Sequence, residues 1–267
     1  MDITTVRAFR LAHTRDDLVL APGEVVIAGG TWLMSEPQPG VTGFVDLTGM
    51  GWPDIEVAAD GLRIGATCTV ARLVAFAAEA PIEWTAASLI PDAANALLAS
   101  FKIWNTATVG GNVCRAFAAG AMVSLCVALD GVAEIWSGAG DRELPVAELV
   151  TGNGTTALAP GEVLRSIRLP AAALRSRAAL RKIALAEHGR SGAVVTGRVD
   201  PDGTSVFTVT AATWRPTVLR FPAVPDAAVL AAAVDGAAGY YTDPLGSADW
   251  RRGVSAVLAE EIRRELT

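Results

Sequence analysis

The chain has 267 residues, of which 51% are apolar, and a formal net charge of -6. That length suits one or two compact domains with a proper hydrophobic core. The acidic balance argues against a nucleic-acid-binding surface, and no apolar run is long and clean enough to span a bilayer.

The opening MDITTVRAFRLAH lacks the basic-then-apolar order of a secretory signal, so a cytoplasmic location is expected. Thr4 to Leu11 alternates as a short strand, and His13 to Leu20 fits a short helix or loop. Glu24 to Ala28 is a compact β-branched run that ends at Gly29-Gly30. Thr31, Trp32, Leu33 and Met34 come next, closed by Pro37 and Pro39, so the order reads strand, glycine turn, short helix. Free N–H groups and a hydroxyl at that helix start would favour an anion.

Phe44 to Leu47 reads as a buried strand. Ile55 to Ala58 and Leu62 to Ile64 flank Asp60-Gly61, a hairpin signal. Thr69 is an N-cap for a helix over Val70 to Glu79. Trp84 to Ser100 carries a helical pattern interrupted at Pro91.

The central stretch is TATVGGNVCRAFAAGAM, Thr106 to Met122. A strand-like approach ends in a second paired glycine, Gly110-Gly111, with Asn112 behind it. Two Gly-Gly corners, each fed by a β-branched run, are what a fold needs to bring bare backbone amides against a phosphate-bearing ligand. Either they converge on one dinucleotide cofactor or they are ordinary glycine turns. On the first alternative, a branched side chain at Gly110 would occupy the cofactor's volume and leave the fold intact.

Ala118 to Leu129, apolar throughout, suits a helix buried on most sides. Asp130-Gly131 turns the chain into a strand over Val132 to Trp136. Asp141 to Glu143 marks a turn, Pro145 to Val150 a short element, and Asn153-Gly154 a loop. Val163 to Leu169 alternates as an edge or half-exposed strand ended by Pro170. Ala178 to Ala186 is a strand or a helix. Ser191 to Val199 and Ser205 to Thr213 flank Asp200-Pro201-Asp202-Gly203 as a hairpin. The remainder reads as helical, Asp226 to Val234 and then Ser247 to Leu266 with Ser247 at the cap. The basic clusters Arg175 to Lys182 and Arg251-Arg252 fall in helix-like segments and read as solvated faces.

Cys68, Cys114 and Cys126 have no disulfide spacing and cannot supply the four thiolates of an iron–sulfur cluster. His13 and His188 lack the clustered partners of a metal site, so no metal ligand is assigned. No side chain is singled out as catalytic.

Four segments together resemble one family. AGGTWLM, Ala28 to Met34, is similar to the AGGTDLL loop of the FAD-binding medium subunits of molybdenum hydroxylases, of the carbon monoxide dehydrogenase and xanthine dehydrogenase type. TATVGGNV is similar to their ATIGGNI loop, with Ile103 and Asn105 matching a preceding IRN. GEVLRSIRLP, Gly161 to Pro170, resembles GELLTEIRLP, and LGSADWRR, Leu245 to Arg252, resembles RGSAxYRR. Order and spacing agree over essentially the whole chain.

The resemblance implies an α+β fold: a two-lobed PCMH-type FAD-binding domain over residues 1–170, with lobes of about 1–53 and 54–170, then a smaller α+β C-terminal domain over 171–267, a sheet packed with helices. It implies FAD as cofactor, wrapped by Ala28, Gly29, Gly30, Thr31 and Trp32 from one loop and Thr108, Val109, Gly110, Gly111 and Asn112 from the other. Leu164 would pack near the flavin. Lys182 would place a cation by the ring or, on the residue's own terms, be a solvated surface lysine. The implied function is electron transfer within a flavin-dependent oxidoreductase. A molybdopterin large subunit oxidises the substrate, 2Fe-2S clusters of a small subunit relay the electrons, and FAD held here passes them to an acceptor.

The sequence also departs from that pattern. Phe117 to Ala121 stands where the family reads SPAAD or DPAAD, so Ala121 replaces an aspartate that would contact the cofactor's hydroxyls. Trp32 and Trp104 replace polar residues, and Trp104 and Phe117 also suit core packing. An FAD-free structural or regulatory member of such a complex, or a free-standing flavin oxidoreductase, are the alternatives.

Overall fold

The computed structural model describes residues 3–267; Met1 and Asp2, where the expected leader reading and the first lobe begin, lie outside the described residues. Three larger sheets organise the chain. In the first, Ala8–Leu11 and Glu24–Ile27 pair in parallel with the two sides of Gly43–Asp46. Arg10 crosses from one outer strand to Glu24 on the other, with nitrogen–oxygen distances of 2.8 and 3.0 Å. The predicted strand at the N-terminus is thus shorter, and a 3-10 turn, Arg15–Leu18, comes after it.

The second sheet is antiparallel in the order Ile55–Ala58, Gly61–Gly65, Val163–Pro170, Val132–Trp136, Arg142–Pro145. Val163–Pro170 is therefore its central strand and not an edge. Its alternation misleads because the register shifts between Leu164 and Ser166, and both of those residues are buried. Arg142 to Glu143, expected as a turn, belongs to the last strand of this sheet.

Helices Val70–Ala77, Leu89–Ala96, Val109–Arg115 and Ala121–Ala128 build the main core with this sheet. Thr69 caps the first of them, its hydroxyl accepting from the Arg72 N–H at 3.1 Å. Pro91 does not interrupt Leu89–Ala96; it sits in the first turn, where a missing N–H costs nothing. Every residue of Ala121–Ala128 is buried.

The third sheet is a meander of Arg177–Ile183, Ala193–Val199, Ser205–Thr210 and Thr217–Phe221. The last strand, Thr217–Phe221, falls between the expected hairpin and the expected helices, where the sequence names no element. The ambiguous segment before the hairpin is a strand, so the Arg175 to Lys182 cluster is not helical. Leu180 and Val194 point into the main core, while Ala179, Val195 and Phe207 point into a second core with helices Ala227–Asp235 and Ala248–Leu266. Covered on both faces, Ser205–Thr210 is buried at every position, which erases a period of two. Arg251, expected to be solvated, is 0% exposed; its guanidinium donates to the carbonyls of Gly192 and Ala211 and pairs with Asp243. Among the described residues no helix is long and apolar enough to cross a membrane.

Candidate cofactor site

The strand Glu24–Ile27 delivers Ala28 and the first glycine pair to the edge of a cavity of about 660 Å³. Gly29 explains how the two distant glycine segments meet. A Cβ there would lie 1.9 Å from the Thr106 carbonyl oxygen, so only glycine permits this backbone contact. Gly30 takes a positive φ of 65° and turns the chain. Beyond it lies a single turn and not the expected short helix: Met34 N–H donates to Gly30 at 2.8 Å and Ser35 N–H to Trp32 at 2.9 Å. The N–H groups of Gly30, Thr31, Trp32 and Leu33 have no protein acceptor among the described residues. This is the concave run of bare donors that favours an anion.

The second glycine pair differs from expectation. Thr106 to Val109 is not a strand; a lone bridge from Thr69 to Thr108 is all the extension it keeps. Thr108 instead caps the helix Val109–Arg115, and its hydroxyl accepts from Gly111 at 3.0 Å. The Val109 and Gly110 N–H groups donate to the carbonyls of Cys68 and Ala66 at 2.8 and 3.0 Å. Most amides of this segment are therefore spent within the protein; over residues 106–112 the Thr108 N–H alone has no protein acceptor among the described residues, and the run of bare donors belongs to the first loop. A Cβ on Gly110 would meet Ala66 backbone and side-chain atoms at 2.6 Å, so this glycine serves packing and a branched residue there would not leave the fold intact. Gly111 is exposed, and the sole obstacle near its absent Cβ is the Thr108 hydroxyl at 2.8 Å.

Asn112 has a structural task as well. Its Oδ1 accepts from the Met122 N–H at 3.0 Å, capping the buried helix whose own N-cap, Gly120, has no side chain. The chain then reverses at Ala116, whose φ is 52°, and carries Phe117 back across Arg115. The Arg115 guanidinium lies 3.8 Å from the ring centroids of both Trp32 and Phe117.

Of the residues predicted from sequence, Ala28, Gly29, Gly30, Thr31, Trp32, Thr108, Gly110, Gly111, Asn112 and Leu164 border this cavity. Val109 does not: its side chain is fully buried in the main core. Lys182 does not either, because it stands at an exposed position of its strand and its Nζ donates to the Asn95 carbonyl at 2.7 Å. Ala121 and Trp104 also lie off the cavity; Ala121 is buried at the start of its helix and Trp104 packs against the core. Arg115, Phe117 and Glu162 border it and were not predicted. Arg115 stands four residues after Gly111, one helical turn along the same face, a spacing readable once the helix is known. The bulge in Val163–Pro170 falls where that strand passes the cavity and places Leu164 on its wall.

Glu162 is bound by both arms of Arg142, at 2.7 Å each, and accepts from the Ala159 N–H at 2.7 Å. The Arg142 hydrogen bonds hold its carboxyl down at about 2. Burial pushes the Cys114 thiol on the cavity wall up to about 12, so it stays a neutral thiol.

A flavin dinucleotide fits this lining. Bare N–H donors and Arg115 suit its diphosphate, and Val26, Leu47, Leu97, Ile103, Leu158 and Leu164 give an apolar wall for its rings. The family described as FAD binding domain in molybdopterin dehydrogenase matches residues 5–172, more than half of the chain. The chain belongs to that family, and FAD is its cofactor. No curated protein sequence matches it.

Solved structures share the fold over the whole length. Quinoline 2-oxidoreductase from Pseudomonas putida 86 superposes with a TM-score of 0.83 at 21% identity, covering 100% of this chain and 98% of that one. Carbon monoxide dehydrogenase from Hydrogenophaga pseudoflava gives 0.81 at 18%, covering 100% and 98%. The reconstituted carbon monoxide dehydrogenase of Oligotropha carboxidovorans gives 0.83 at 18%, covering 100% of both chains.

Proposed function

We propose that this chain is the electron-transfer flavoprotein subunit of a molybdenum hydroxylase-type oxidoreductase complex. It would work in the cytoplasm with a 2Fe-2S small subunit and a molybdopterin large subunit. The observation that carries the reading is that both glycine segments and Leu164 border one cavity. Bound FAD supplies the electron-accepting and electron-donating chemistry, and no side chain here need act as a general acid or base. The chain's part is to hold and enclose. Gly29 and Gly30 expose the N–H run, Gly111 leaves an open face, and Val163 and Leu164 keep water from one wall. The ten cavity-bordering residues named above are proposed as FAD contacts. The division into an FAD-binding part over residues 1–170, with lobes meeting at about 53, and a C-terminal part over 171–267 belongs to the same proposal. Lys182 and Val109 act elsewhere, in the third sheet and the core.

Purification of the chain from its native source tests this. The expected result is a yellow protein with about one FAD per chain, accompanied by two further subunits that carry iron and molybdenum. A colourless protein that stays so after incubation with FAD would overturn it.

A further inference from the structure

Arg115 is a cation without an ion pair among the described residues. It has five N–H donors, yet it makes no hydrogen bond or salt bridge among the described residues, and its Nε is buried with no partner. Its position is fixed all the same. Trp32 and Phe117, set edge to face, border the guanidinium from two sides, and the missing side chain of Gly154 makes room for it, since a Cβ there would stand 3.0 Å from Nη1. A second arginine, Arg190, lies 5.0 Å from the Phe117 ring and forms no ion pair among the described residues either. Arg115 borders the cavity and Arg190 stands behind Phe117, two such cations close together in a protein of net charge -6. Burial and then Arg190 pull the Arg115 guanidinium below its ordinary value, while Glu36 opposes them. A partly buried cation with a dry, unpartnered Nε and a second arginine nearby is stabilised when an anion reaches it. The loop whose N–H groups are bare carries the very tryptophan on which Arg115 is stacked, so both donor sets face the same volume.

We propose that Arg115 meets the diphosphate of FAD and fixes that end of the cofactor, replacing polar contacts that Trp32 and Phe117 have removed. The inference rests on the cavity being the FAD site. Trp32 and Phe117 form the corner that positions the guanidinium, and the loop amides Gly30 to Leu33 supply the neutral donors beside it.

The test is a titration of the full chain, stripped of flavin, with FAD, for wild type and Arg115→Gln, with circular dichroism to verify that the variant is folded. Arg115→Gln should weaken FAD binding by about 10- to 100-fold, the range for a charge-assisted hydrogen bond to phosphate. Wild-type affinity should fall as salt rises, and the variant's should fall less steeply. Variant binding within twofold of wild type, or tighter, overturns the role of Arg115 and leaves the FAD site standing; tighter binding would mean that the side chain plugs the cavity. Wild type that takes up no FAD overturns the site itself. If the variant does not fold, wild type decides alone: inorganic pyrophosphate should compete with FAD, and no competition overturns the proposal.

Discussion

Gly110 and Gly111 are adjacent in sequence and opposite in consequence. A valine at 110 would drive its branches into Ala66, whose backbone oxygen already lies 2.6 Å from an added Cβ. Gly110→Val should therefore destabilise the fold by about 1–3 kcal/mol, as overpacking of a filled core does, and lower the unfolding midpoint with or without FAD. Gly111→Ala meets only the Thr108 hydroxyl, so it should leave the apo-protein's midpoint within about 0.5 kcal/mol and weaken FAD retention instead. Paired thermal melts and flavin counts separate the two; the opposite pattern would reverse their roles. Glycine spacing in the sequence pointed to both residues but could not say which one faces a ligand, because that depends on what Ala66 occupies.

Glu162 carries a pH dependence whose sign comes from its pairing. Its folded carboxyl sits at about 2, below the usual carboxylate value near 4.3, so its bonds to Arg142 and Ala159 stabilise the fold above that ordinary value. That contribution fades as pH falls from about 4.5 towards 2. Denaturant midpoints measured across this window should drop more steeply for wild type than for Glu162→Gln. Parallel slopes would contradict the pairing.

Among the elements, those specified by short local chemistry were readable. The Asp60-Gly61 and Asp200 to Gly203 hairpins, the Thr69 cap and the Ser247 cap, whose hydroxyl accepts from Trp250 at 3.2 Å, are all set by a few neighbouring residues. Elements that depend on what covers them were not. Val163–Pro170 reads as half-exposed because its arginines alternate with its apolar residues, yet it is flanked by strands on both sides. Thr217–Phe221 is a partly exposed outer strand with too little buried surface to pattern its sequence. Arg251 is the sharpest case. A charged residue on a polar helix reads as solvated, and only the folded chain reveals the carbonyls of Gly192 and Ala211 waiting for it. Removing one side of such a buried network leaves the other groups unpaired, so Arg251→Ala should cost about 3–5 kcal/mol. Circular dichroism melts would detect this, and a loss below about 1 kcal/mol would show that the network relaxes.

Across the whole molecule, the main core draws residues from both sides of Pro170. One core runs from Leu62 to Ala211, and the buried helix Ala121–Ala128 reaches into the third sheet: Ser124 and Thr210 hydroxyls lie 2.6 Å apart, and Ala211 N–H donates to Ala118 at 2.7 Å. Arg198, from the same sheet, bonds the Ala128 carbonyl at the helix's far end and pairs with Asp130. The cavity and the C-terminal sheet are thus joined by one buried helical rod.

Asn112 is where that rod is pinned. Its carbon chain borders the cavity while its amide oxygen holds the rod's near end through Met122. An occupant that immobilised Asn112 would restrain the helix it caps, and through the helix the strand Ser205–Thr210 packed on the other side. Amide exchange in that strand should slow when FAD is added to wild type and stay unchanged in Asn112→Ala, which also forfeits about 1 kcal/mol of capping. A hairpin that never touches the nucleotide would then serve as a gauge of whether the hollow is full.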